Sequence, residues 1–170
     1  MDAQEFKQRV FPSRDRLYRM ARLLLGSREE AEDALQDVLL RLWDNRLQLA
    51  AYQSVEALAV RITRNLCLDR LKYRHNKKMV AVDTLATAAD SRTPAQLAEL
   101  SDSTRLMQRL YAELPEAQRV VLHLREVEEY SYEEIEQVTG MTVNNIRVTL
   151  SRARKQLREN YLKINAYERK

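Results

Sequence analysis

Two glycines (Gly26, Gly140) and three prolines (Pro12, Pro94, Pro115) are all that 170 residues contain. A sheet-rich fold needs many more turn residues than that. One cysteine, Cys67, excludes an intramolecular disulfide, and its neighbours Leu66 and Leu68 mark it as a buried structural thiol. The two histidines, His75 and His123, lie far apart and neither sits in a spaced ligand motif, so no metal site is expected. No run approaches the ~20 apolar residues that span a bilayer. The opening MDAQEFKQRV is neither a signal segment nor a transit peptide, so a cytoplasmic location is expected. A phosphate-binding glycine loop is missing, and no nucleophile, base or ligand set converges. The expectation is a protein that is not an enzyme and uses no cofactor.

What is there favours helices. Leu, Ala, Arg and Glu are abundant, and the net charge of +4 with pI near 9.3 is compatible with nucleic acid without requiring it. Apolar side chains at Phe6, Val10, Leu17, Met20, Ala21 and Leu24 predict a helix over 3–25 that Pro12 kinks or restarts. Gly26 closes it and Ser27 caps the next, at about 28–45. That second helix buries Ala31, Ala34, Leu35, Val38, Leu39 and Leu42. A connection, Arg46 to Gln53, leads to Ser54, which caps a third helix reaching about Lys77. Its inward stripe is Val55, Leu58, Ala59, Ile62 and Leu66.

Residues 78–95 lose the pattern and read as a flexible linker. Periodicity resumes at Leu97, Leu100, Met107, Leu110 and Leu114, and Pro115 suits the first turn of a helix holding Val120, Val121 and Leu124. The fold class expected is all-α: two small helical domains, 1–77 and 96–170, joined by 78–95.

The second half carries a helix-turn-helix pattern. Ser131 and Glu134 form a capping box for YEEIEQVTG, Ile135 and Val138 point inward, and Gly140 ends the helix. Thr142 caps the next helix, whose core stripe is Ile146, Leu150, Ala153, Leu157 and Tyr161. Its outer face offers Asn144, Asn145, Arg147, Ser151, Arg152, Arg154, Lys155 and Arg158. Arg forks to guanine, Asn pairs with adenine, and later cations hold phosphates. A basic, solvated helix in a bundle that never meets DNA is the plainer alternative.

The first half is polarised. Asp33, Gln36, Asp37, Leu40, Arg41 and Asp44 recur at three- and four-residue spacing opposite the core stripe of the second helix. An acidic band around an exposed leucine suits a protein contact as well as a solvated surface. The third helix carries Arg61, Arg64, Arg70, Lys72, Arg74, Lys77 and Lys78 against Asp69, with Asn65 and Tyr73 interleaved and Tyr52 just before it. Such a surface neutralises phosphates and stacks unpaired bases. Trp43 belongs to the packing.

Three segments, AEDALQDVLLRLW, VRITRNLCLDRLKYR and LPEAQRVVLHLREVEEYSYEEIEQVTGMTVNNIRVTLSRARKQLRE, in this order and spacing resemble the extracytoplasmic-function (ECF) sigma factors of the sigma-70 family. The resemblance covers nearly the whole chain. It implies a promoter-recognition subunit of RNA polymerase, with 1–77 as sigma region 2 and 96–170 as sigma region 4. It also implies that Asp33, Gln36, Asp37, Leu40, Arg41 and Asp44 dock on the β′ clamp helices of core RNA polymerase. The 46–53 connection, with Tyr52, would capture a flipped base of the −10 element beside Arg61, Arg64, Asn65, Asp69 and Lys72. The last long helix would read the −35 duplex through Asn144, Asn145, Arg147, Val148, Ser151, Arg152 and Lys155, its domain also touching the β flap. An anti-sigma factor, in some relatives membrane-bound, is a further implied partner.

The chain departs from the family pattern at several positions. Glu129 stands where the family often has Gly, Glu136 where a small residue is frequent, and Asn144-Asn145 where Gly-Thr is common. Val148 and Thr149 replace Ser and Arg. The paired asparagines suggest adenine contacts, with Val148 against a thymine methyl. Two other classes compete: a two-domain helix-turn-helix regulator that is not a sigma factor, and a helical protein that sequesters partners without touching DNA.

Overall fold

The computed structural model describes residues 1–80 and 101–169, and the chain divides into two compact units, Met1–Arg92 and Thr93–Lys170. Most of the expected 78–95 linker, together with Leu97 and Leu100, lies outside the described residues. The described residues are helical, with no strand among them.

The first unit holds α1 (Ala3–Val10), α2 (Arg14–Leu25), α3 (Arg28–Asp44), α4 (Arg46–Leu49) and α5 (Val55–Val80). The expected helix over 3–25 is in fact two. Pro12 sits in a 3-10 turn, Phe11–Ser13, because its ring and missing N–H cannot continue the α-helical ladder. Gly26 takes the left-handed conformation (φ 75°) that ends α2, and Ser27 Oγ accepts from Glu30 N at 3.4 Å to start α3. The core is built where α2 packs on α3 and α5. Leu17, Ala21, Ala31, Ala34, Val38 and Ala59 are fully shielded, while Leu39, Leu58 and Ile62, expected inside, are half-buried. Each large side chain buried this way contributes about 1.5–3 kcal/mol.

Two boundaries differ from the periodicity. The Arg46–Gln53 connection contains the single turn α4, because Leu49, 2% exposed, is drawn into the core. Helix α5 runs to Val80, past Lys77: Lys77, Lys78 and Met79 are good helix formers, and no Gly or Pro intervenes. Cys67 is buried in α5. Burial pushes its thiol up to about 12, against the opposing pull of Arg70.

The second unit holds α6 (Asp102–Ala112), α7 (Glu116–Glu126), α8 (Tyr132–Thr139) and α9 (Val143–Glu168). Pro115 is the N-cap residue of α7, one place before the first turn. Helix α9 packs on α7, α8 and α6 through Ile146, Leu150 and Ala153. Beyond Ala153 the expected stripe changes. Leu157 is half-buried, Tyr161 stands 43% exposed, and Asn160 is buried in its place, its Oδ1 accepting from Gln156 Nε2 at 2.9 Å. Another buried polar contact, His123 Nε2 to Glu128 Oε1 at 3.2 Å, closes the end of α7.

Candidate nucleic-acid and partner interfaces

The α8–α9 pair is fixed by its caps. Ser131 Oγ accepts from Glu134 N at 3.1 Å while the Glu134 carboxylate accepts from Ser131 N at 2.7 Å, the reciprocal capping box. Gly140 takes φ 74°, a conformation without steric cost for glycine, and Thr142 Oγ1 accepts from Asn145 N at 3.2 Å. These four residues set where α9 begins and which face it turns outward.

On that outer face Asn144, Asn145, Arg147, Val148, Ser151, Arg152 and Lys155 are all exposed. At about 100° per residue they form one broad band opposite Ile146, Leu150 and Ala153. A groove of about 360 Å³ runs along one edge of the band, lined by Tyr132, Arg147, Ser151, Arg154, Lys155 and Arg158 around Leu150. Asn144, Asn145, Val148 and Arg152 lie outside that groove, on the neighbouring stripe.

Tyr132 and Arg125 went unnoticed at the level of sequence. Two guanidinium groups lie against the Tyr132 ring, Arg125 at 4.5 Å and Arg147 at 5.2 Å from its centroid, contacts of the cation–π kind. Arg125 Nη1 also donates to Tyr130 O at 2.8 Å. Arg154 is tied back to Glu126 of α7, its Nε 3.0 Å from Oε1. The only local signal for Tyr132 was its place beside the capping serine, which says nothing about its stacking.

In the first unit Asp33, Gln36, Leu40, Arg41 and Asp44 are exposed and Asp37 is half-buried, one stripe along α3 with Leu40 61% exposed in its middle. The acids are not unopposed. Arg70 of α5 reaches across, Nη1 to Asp33 Oδ2 at 2.9 Å and Nη2 to Asp37, while Arg74 Nη2 meets Glu30 Oε1 at 2.6 Å. Arg70 and Arg74, counted with the basic face of α5, therefore point to α3 instead. The spacing reveals it afterwards: they fall half a turn from Arg61 and Lys72.

Arg61, Arg64, Asn65 and Lys72 share the other face of α5, with Asp69 at its margin. Arg64 Nη1 donates to Asn65 Oδ1 at 3.2 Å. Asp69 also lines a groove of about 570 Å³ between α3 and α5, together with Asp37, Arg41, Tyr73, Arg74 and Lys77. Tyr52, 47% exposed, stands at the end of the α4–α5 connection. Among the described residues no cluster of His, Cys, Asp and Glu suits a metal ion, and no helix is long and apolar enough to cross a membrane.

A basic, capped helix in one unit and a polarised helix pair in the other are the candidate interfaces of this two-unit helical protein. The family comparisons name its class. The family model described as Sigma-70 region 2 matches residues 12–77, and that described as Sigma-70, region 4 matches residues 104–157. The RNA polymerase sigma-E factor of Streptomyces avermitilis is 30% identical over 155 residues, which cover 91% of this chain and 84% of that protein. The ECF RNA polymerase sigma factor SigE of Mycolicibacterium smegmatis is 32% identical over 149 residues, 85% of this chain but 57% of the relative. The solved sigma factor RpoE of Bartonella quintana, in complex with the anti-sigma factor NepR, shares the fold with a TM-score of 0.78 at 23% identity, covering 94% of this chain and 98% of that one. CnrH, solved with the cytosolic domain of CnrY, gives 0.67 at 20% identity over 93% of this chain and 88% of that one. The chain belongs to the ECF group of the sigma-70 family of RNA polymerase sigma factors.

Proposed function

We propose that the two units divide the work of promoter recognition between them. Residues 96–170 act as region 4 and read the −35 duplex through Asn144, Asn145, Arg147, Val148, Ser151, Arg152 and Lys155. Residues 1–77 act as region 2, with Tyr52 and the α5 face of Arg61, Arg64, Asn65, Asp69 and Lys72 holding the melted −10 strand. The α3 stripe, Asp33, Gln36, Asp37, Leu40, Arg41 and Asp44, docks on the β′ clamp of core polymerase, and the second unit touches the β flap. Residues 78–95 join the two.

The observation that carries this reading is the exposed band of α9, whose amides and guanidinium lie near its capped N-terminus and whose further cations follow along the helix. That order matches the major-groove docking mode, in which base edges are read first and phosphates held behind. Strand opening needs no hydrolysis in this scheme. Stacking of unpaired bases and neutralisation of phosphates favour the single strand once it is exposed. Each half-site alone is modest, and the second binds at high effective concentration once the first has engaged. An anti-sigma factor is a third partner in this proposal, supported by the fold shared with RpoE, which was solved in complex with the anti-sigma factor NepR.

Purified core polymerase tests the division of labour. Asp37→Lys and Leu40→Ala should weaken core binding, whereas Arg147→Glu should bind core normally and lose promoter-specific transcription. Core binding unaffected by the α3 changes, or specific transcription surviving Arg147→Glu, would overturn it.

A further inference from the structure

Helix α1 lies outside the residues that the family models match, which begin at 12. Its sequence nevertheless builds a firm element. Asp2 caps it, accepting from Glu5 N at 2.8 Å, and Phe6 and Val10 are buried as α1 packs on α5. One of its side chains reaches the far end of the 46–53 connection, and another meets the α3 residue that holds its start.

At the start of the connection, the Phe6 ring meets Trp43 edge-on, centroids 5.1 Å apart at 84°. Trp43 in turn holds Arg46, whose guanidinium lies 4.2 Å from the indole centroid and whose Nη1 donates to Trp43 O at 3.0 Å. At the far end, Arg9 Nη2 donates to Tyr52 O at 3.3 Å, while its Nη1 lies 3.7 Å from the Glu5 carboxylate. Between them Leu49 is the buried anchor, and Tyr52 N donates to Leu49 O at 3.1 Å. The connection is therefore pinned at three points, two of them through α1. The large apolar side chains it leaves outward are Leu47, 75% exposed, and Tyr52.

A segment that must offer an aromatic ring to an extruded base gains from being ordered beforehand, because ordering then does not subtract from binding. We propose that α1 braces this connection and that Arg9 is a positioning residue for strand capture, acting through the Tyr52 carbonyl. This rests on the reading of Tyr52 as part of the −10 site. Arg9 carries a charge and could instead touch the DNA backbone directly, so the test must separate the two roles.

The experiment uses holoenzyme assembled from core polymerase and the full chain on a promoter found by start-site mapping. The probe is a labelled single strand carrying its −10 non-template sequence, with permanganate footprinting of the duplex as a second readout. Arg9→Ala should weaken strand capture and opening about 3- to 10-fold, the worth of one hydrogen bond. Core binding should hold, and the thermal midpoint should fall by only a few degrees. The salt dependence of capture should keep its slope, whereas loss of a direct phosphate contact lowers it by about 1. Arg9→Lys, which keeps a donor, should recover most of the loss, and Arg9→Ala should add less than about twofold in a Tyr52→Ala background. Phe6→Leu, which keeps the packing and removes the edge contact, should lower capture in the same assay.

Strand capture unchanged in both Arg9→Ala and Phe6→Leu overturns the brace alone. A salt slope reduced by about 1 in Arg9→Ala overturns the positioning role in favour of direct contact. Wild-type holoenzyme that fails to capture the strand overturns the reading of Tyr52, and the brace with it.

Discussion

Glu129 is the one non-glycine among the described residues with a positive φ, 59°. It turns the chain out of α7 so that Tyr130 N reaches Leu124 O at 2.9 Å and Ser131 arrives in place to cap α8. A left-handed L-residue costs about 1–2 kcal/mol relative to its right-handed state, a cost that glycine escapes. Glycine returns about 0.4–1 kcal/mol of that through the greater freedom of its unfolded chain. The net gain for Glu129→Gly is then about 0–1.6 kcal/mol, centred on ~0.8, which for a unit of this size raises the midpoint by roughly 3–6 °C. Glu129→Val, β-branched in the same conformation, should lower it.

The chain carries its own internal control for this measurement. Trp43, its single tryptophan, lies in the first unit, so fluorescence follows that unit while circular dichroism follows both. Glu129→Gly should raise the dichroism transition of the second unit and leave the fluorescence midpoint where it was. An unchanged or lowered second transition, or a Val variant as stable as wild type, would refute the strain argument.

Removing Arg70 should act on the other unit. Arg70→Ala leaves Asp33 and Asp37 without their counter-charge, so association with core polymerase in stopped flow should quicken at low salt. Its partly exposed pairs are worth about 0–1 kcal/mol each, so the midpoint should fall only slightly. Cys67 should resist alkylation at pH 8 until the unit is unfolded. Its folded thiol is raised from 9.0 to about 12, so the protonated form is favoured in the fold. That contribution is intact below pH 9 and is lost as pH rises through about 12, and the stability gap between wild type and Cys67→Ala should change in that window. On the −35 duplex, Asn144→Ala and Asn145→Ala should relax preference at adenine positions in a full base-substitution series, each by about 1–3 kcal/mol. Unchanged preference in both would remove the asparagines from base reading.

The helices and caps were legible because their signals are local. Ser131 with Glu134, Gly140, Thr142 and Ser27 each act within one turn of themselves, and each is where the pattern put it. What the periodicity missed depends on contacts far along the chain. Nothing near Arg70 says that it crosses 37 residues to Asp33, nor near Arg9 that it meets Tyr52. Asn160 is buried where Tyr161 was expected, with Gln156 Nε2 donating to its amide oxygen, and hydropathy does not encode that pairing. Glu129 was visible as a departure from the family's glycine, but only the backbone gave its cost. The candidate DNA face of α9 followed directly from helical geometry. The acidic stripe followed too, without its internal counter-ions.

The central claim is that this chain, added to core polymerase, chooses where transcription starts. Transcription of a genomic DNA pool by core polymerase with and without the purified chain, with every start site mapped, tests it most directly. A small set of new starts sharing common −35 and −10 sequences, lost with Arg147→Glu, is the predicted result. Start sites unchanged by the chain, or appearing only when another sigma factor is supplied, would contradict it.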